Sequence, residues 1–162
     1  MELMAKIASK KKGNRVELEF AKIFTKRFSR TFKRVPQSGA FSTINKDEGL
    51  DKSVLDTLSG DLIPPNGFKF SIEIKSRLDF NFWDLLADET ENEIDSWIEQ
   101  AEGEARITNK EPLIIVKVNR RKPFAIFPEK LKKGRLSYKG YTILRIDYFL
   151  DLPDKFFLKE EK

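Results

Sequence analysis

The segment Leu113-Ile114-Ile115-Val116-Lys117-Val118 limits the folds open to this chain more than any other stretch. Its apolar, mostly β-branched residues fall on both faces of an extended strand, so both faces must be covered. A strand of that kind sits in the middle of a sheet with helices packed above and below it. It is the leading core candidate and points to an α/β architecture.

The rest of the chain supplies the covering elements. Val16, Phe20, Ile23, Phe24 and Phe28 keep helical spacing and predict a helix of roughly four turns from about Asn14. A second helix is predicted from the capping-box pattern Thr90-Glu91-Asn92-Glu93, with Ile94, Trp97, Ile98, Ala101 and Ala105 as its apolar stripe and an end near Arg106. Phe124 to Phe127 reads as a strand stopped by Pro128. A basic loop from Lys130 to Arg135 leads to an edge-like strand at Tyr141 to Ile146. Val35 to Ser59 reads as a long loop, with one helical turn near Val54 to Leu58. Phe80 to Leu86 is expected near the mouth of a site, and Trp83 and Trp97 are read as core rather than as base-stacking platforms. From Pro153 the tail is either a short amphipathic helix or disordered, and Phe156-Phe157-Leu158 hints at docking onto a second subunit. At 162 residues one domain is expected over 1–162, with 40–59 as a long loop or insertion and 153–162 as a tail.

Composition narrows the chemistry. There is no cysteine and no histidine, which excludes thiol nucleophiles, imidazole acid–base chemistry and zinc sites built on those ligands. Carboxylates, lysine, hydroxyls or an oxygen-bound metal remain. No signal-peptide pattern or run of about eighteen apolar residues is present, so a soluble, cytoplasmic protein is expected. Charge is uneven: residues 1–40 hold 11 Lys/Arg against 3 Asp/Glu, residues 41–105 hold 5 against 16, and residues 106–162 hold 15 against 7. Basic flanks around an acidic centre suit a polyanion gripped at its edges, though solvated faces of a basic protein would give the same pattern.

The stretch from Gly60 to Lys75 is where such chemistry can assemble. Phe70, Ile72 and Ile74 alternate with Ser71, Glu73 and Lys75, as a half-buried strand requires. A short strand before it, Asp61-Leu62-Ile63, brings a second carboxylate. If only Pro64 to Gly67 form the turn, Asp61 pairs opposite Phe70; a wider loop or a bulge is needed to bring it level with Glu73. Two carboxylates about 4 Å apart repel by roughly 4 kcal/mol at an effective dielectric near 20. Lys75 offsets part of this, and a hard cation with oxygen ligands, Mg²⁺ or Mn²⁺, would offset the rest. On the first helix Glu17 falls at the edge of the apolar stripe and faces the body of the domain. The bland alternative is an exposed Glu73–Lys75 pair.

With Gly13-x-x-x-Glu17 opening a basic helix, Ser38-Gly39 in the following loop, Asp61-Leu62-Ile63 before a turn and Ile72-Glu73-Ile74-Lys75, the chain resembles the PD-(D/E)xK nuclease superfamily. It is most similar to the branch of Holliday junction resolvases and phage nucleases, over roughly Lys11 to Val118. Gly60 stands where the namesake motif has proline. The resemblance implies a restriction-endonuclease-like α/β/α core with a mixed central sheet, acting as a metal-dependent DNA endonuclease on branched DNA, as a symmetric homodimer, leaving a 5′-phosphate. It implies Asp61, Glu73 and the Ile74 carbonyl as ligands of Mg²⁺ or Mn²⁺, Glu17 in the outer shell or at a second ion, and Lys75 acting on the water and the transition state. It also places a polar residue of the second helix at the site. Gln100 is that residue, although its position reads first as helix surface. Ser38 is a turn former first and a phosphate contact second. The DNA-contacting cations expected are Lys10, Lys11, Lys12, Arg15, Lys26, Arg30, Arg34 and Arg77. A nuclease acting on DNA ends or specific duplex sites, and a non-catalytic nucleic-acid-binding module, are the alternatives.

Overall fold

The structure is a computed structural model that describes residues 1–36, 60–86, 92–129, 131 and 136–160. Ser38 and the loop read at 40–59 lie outside the described residues.

Helix α1 (Glu2–Phe28) is much longer than its buried stripe. Val16, Glu17, Phe20, Ala21 and Phe24 are buried, whereas the turns before Gly13 bury nothing. Leu, Met, Ala and Lys there are all good helix formers, and a Lys6–Glu2 pair one turn apart adds to them. The helix therefore extends N-terminally well past its expected start. Strand β1 (Lys33–Arg34), within the basic stretch after α1, was not anticipated. Strands β2 (Leu62–Ile63) and β3 (Phe70–Arg77) form the expected hairpin. After a 3-10 turn at Phe82–Leu86, helix α2 (Glu93–Ile107) carries the chain to β4 (Glu111–Val118). Strands β5 (Phe124–Phe127), β6 (Leu136–Tyr138) and β7 (Tyr141–Arg145) follow, then short helices α3 (Ile146–Leu150) and α4 (Asp154–Phe157).

The described strands make one seven-stranded sheet in the order β1-β2-β3-β4-β5-β7-β6. Among them only β3 and β4 pair in parallel, and α2 is the crossover that a parallel pair needs. Helices flank this mixed sheet, as a restriction-endonuclease-like core requires. Leu113 and Ile115 of β4 join one core with α1, while Ile114, Val116 and Val118 join another with Ile94, Trp97 and Ala101 of α2. The strand is covered on both sides.

Several local readings change. The cap of α2 is Asn92, not Thr90: Asn92 Oδ1 accepts from Asp95 N–H at 3.3 Å, and Asp95 Oδ2 accepts from Asn92 N–H at 3.2 Å. β7 is not an edge, because β6 pairs along its outer side. Ile146 begins α3 instead of ending a strand. The tail is helical and docks on its own chain: Phe156 and Phe157 are buried, Lys69 N–H donates to Phe157 O at 2.8 Å, and Lys159 N–H donates to Gly67 O at 2.8 Å. Trp97 is core at 3% exposure, but Trp83 is 77% exposed.

Candidate active site

The hairpin register sets the site. Leu62 lies opposite Ile72, which puts Asp61 level with Glu73. The connection is thus the wider one. Asp61 is held on every side: its N–H donates to Ile72 O at 2.8 Å, its carbonyl accepts from Val35 N–H at 3.0 Å, and its Oδ2 accepts from Ile74 N–H at 2.7 Å. The last bond has a simple cause. β2 is two residues long, so the Asp61 carboxylate takes a β3 amide that a longer strand would have paired, and a buried amide needs such a partner. In an extended residue N–H and C=O point to the same side, so the Ile74 carbonyl also faces the Asp61 edge.

Alternation along β3 sends Phe70, Ile72 and Ile74 into the α1 core, leaving Glu73 and Lys75 on the α2 side. Lys75 Nζ donates to Glu73 Oε1 at 2.9 Å and to Gln100 Oε1 at 2.7 Å. Gln100 Nε2 donates back to Glu73 Oε1 at 2.8 Å, closing a three-membered ring of polar groups. The Glu73 and Lys75 side chains are only 8% and 13% exposed, so this is no solvated surface pair. Burial, with the Asp61 and then the Glu104 charge adding to it, pushes the Glu73 carboxyl up to about 8, against the opposing pull of Lys75.

Glu104, one turn beyond Gln100 on α2, is the residue that sequence reasoning missed. Its Oε2 accepts from Gly60 N–H at 2.6 Å. Gly60 has φ of +79°, and a Cβ there would sit 2.8 Å from Ile72 O. Proline is locked near φ −65° and has no N–H, so it could neither adopt this backbone nor meet Glu104. The glycine preceding Asp61 follows from that geometry. The four-residue spacing of Gln100 and Glu104 on one helix face was the available signal.

The other candidates are placed as follows. Glu17 is buried on α1 and accepts from Arg34 Nε at 2.5 Å, while an Arg34 terminal nitrogen donates to Asn14 Oδ1 at 2.7 Å. Arg34 is therefore the counter-ion of Glu17, and its strand position lies opposite Leu62, the residue after Asp61. Arg77 pairs with Glu93 and lies 5.0 Å over the Trp97 ring. Arg30 donates to Asn66 O at 3.3 Å. Lys10, Lys11, Lys12, Arg15 and Lys26 are exposed along α1. Arg27, from the same basic ridge, donates to Leu150 O, Leu152 O and Asp154, and so fastens α1 to the C-terminal helices.

Among the described residues no three acidic side chains converge as ligands of one ion. The donor set nonetheless suits a hard divalent cation: a carboxyl whose charged form burial and the Asp61 charge disfavour, a fixed aspartate level with it, and, by strand geometry, a carbonyl on the same edge. A strand pair presenting Asp and Glu-x-Lys, set in a mixed sheet between helices, defines the PD-(D/E)xK class of nucleases, whose members generally use divalent metals. The family described as "Phage putative PDDEXK endonuclease" matches residues 8–151, and the chain belongs to it. Comparison with curated proteins and with solved structures found no match.

Proposed function

We propose that this family member is a Mg²⁺- or Mn²⁺-dependent DNA endonuclease that resolves branched DNA, four-way junctions above all. The observation that carries the reading is the convergence of Asp61, Glu73, Lys75 and Gln100 around a carboxyl that is unfavourable as an anion without an added cation. Asp61, Glu73 and the Ile74 carbonyl would hold the ion. When bound, it would activate water and neutralise charge developing on a scissile phosphate.

The chain's own groups do the rest. Lys75 Nζ, held by Glu73 and Gln100, presents a compact ammonium to the phosphoryl oxygens and to the attacking water. Gln100 fixes both its neighbours, so its amide sets where the ammonium points. Glu17 and its Arg34 partner stand as the outer polar pair, and Lys10, Lys11, Lys12 and Arg15 supply phosphate contacts along α1. Preference for a junction is supported by the resolvase-like order of motifs, and two symmetric incisions call for a homodimer.

A synthetic four-way junction and a matched linear duplex, each incubated with Mg²⁺ and with chelator, test the reading. Metal-dependent cutting of the junction alone is expected. Equal cutting of both substrates would replace junction specificity with a general duplex activity, and salt-sensitive binding without any cutting would sink the enzyme reading.

A further inference from the structure

The aromatic stretch after β3 has no part in the chemistry above. The Phe80 ring lies 5.8 Å from Trp97 and 5.7 Å from Phe124, and Phe82 lies 4.7 Å from Phe80 and 5.4 Å from Phe124. These contacts anchor the 3-10 turn to the α2-side core, yet Phe82 stays 43% exposed and Trp83 77% exposed. Phe80, Phe82 and Phe124 form apolar walls of a groove of about 520 Å³ with Arg121, Lys122 and Arg145 around it, and Trp83 follows Phe82 in the chain just outside that lining.

We propose that this groove is a subsite for unpaired nucleotides, with bases stacking on Phe82 and Trp83 and phosphates held by Arg121, Lys122 and Arg145. It rests on the reading that nucleic acid is the substrate of the Glu73 site. Exposed aromatic rings are costly to leave in water, and every nucleobase offers a face to stack on them, whatever its sequence. The three cations give the groove the sign that a phosphate backbone requires. Asp147 contacts two of them, at 2.6 Å from Arg145 and 3.8 Å from Lys122, so one carboxylate faces two positive groups while Arg121 adds a third. The location also fits. Val118, Phe124 and Ile143 belong to the α2-side core, the face that carries Glu73 and Lys75, and the chain from Lys75 to Phe80 spans at most about 17 Å. A strand unpaired next to a branch point could thus occupy both places.

The two tryptophans provide the readout, since Trp97 is 3% exposed and Trp83 is open to solvent. The full chain is titrated in chelator with a single-stranded thymidine oligomer and with a blunt duplex of equal length, following tryptophan emission. The single strand should quench at concentrations where the duplex does not, and Trp83→Phe should abolish the quench. Phe82→Ala and Arg121→Glu, both at exposed positions, should each weaken oligomer binding about tenfold or more, read by anisotropy of a labelled strand. Equal quenching by duplex, or unchanged oligomer affinity in both variants, overturns the proposal. Absence of quenching together with a concentration-dependent dimer that Phe82→Ala dissociates would assign the face to a second copy of the chain and likewise overturn it. These measurements contain no metal and no cleavage, so they fail or succeed independently of the nuclease reading, which is judged on Glu73-dependent cutting.

Discussion

The two faces of β3 are built from alternate residues of one strand and have opposite natures. On the α1 side Phe70, Ile72 and Ile74 meet a cluster of phenylalanines, in which Phe68 packs edge-on against Phe24, Phe28 and Phe32 and stacks at 6.1 Å on Phe157. Dispersion and apolar burial dominate there, and the cations that reach the cluster, Arg27 over Phe28 at 4.7 Å and Lys69 over Phe156 at 4.4 Å, lie on ring faces. On the α2 side the same strand presents Glu73 and Lys75 to Gln100 and Glu104, where burial opposes the charges it encloses. One face stabilises the fold; the other draws on that stability to keep a carboxylate where water would otherwise solvate it.

The sharpest break of this contrast is on the apolar side. Phe68→Ala should cost about 3–5 kcal/mol in denaturant unfolding while leaving cleavage by the folded fraction unchanged. A cost under about 1 kcal/mol would mean that the phenylalanine cluster is not what holds the sheet. The converse substitution is Glu73→Gln, which should lower the cleavage rate by at least about a hundredfold yet leave the metal-free protein as stable at pH 8 as the parent, or more so. A variant that still cuts normally would show that the site is wrongly assigned.

Gly60→Ala should destabilise by about 1–3 kcal/mol, because the added Cβ meets a backbone oxygen in a left-handed conformation. Calorimetry that finds it neutral would show that the turn before Asp61 can relax. The smallest effect is a slope. Glu73 keeps its proton up to about 8 in the folded protein against an ordinary value of 4.5, so between those pH values the folded state binds more protons than the unfolded one. Stability in chelator should therefore fall as pH rises, by on the order of 1 kcal/mol per pH unit in the middle of the window. Glu73→Gln should flatten that slope, and a divalent cation should bind more tightly as pH rises because its binding releases the proton. A parent protein with no slope would remove the electrostatic half of the comparison.

How far the sequence could be read divides along the same line. Periodicity is a property of the chain itself, so the β3 alternation, the two-faced β4 and the stripes of both long helices were legible from residue type alone. Features set by partners distant in sequence were not. Gln100 read as surface because a polar residue beside an apolar stripe looks the same whether water or Lys75 lies opposite. Glu104 carried no mark until Gly60 was seen to need an acceptor. β1 and β6 are too short to show a period. The exposure of Trp83 went against its residue type, since Phe80 and Phe82, and not Trp83, anchor that turn. The tail's phenylalanines announced burial but not in which molecule, and the contacts with Gly67 and Lys69 place them in their own.

The shared use of β3 limits how this strand can change over time. A substitution alters one face and can be judged on that face alone. An insertion or deletion of a single residue within Phe70–Arg77 would turn every later side chain over, sending Glu73 or Lys75 toward the phenylalanines and an isoleucine toward Gln100, so fold and chemistry would be lost in one event. Length variation in the hairpin must then fall in the connection between Ile63 and Gly67, ahead of Phe68, which already belongs to the apolar face.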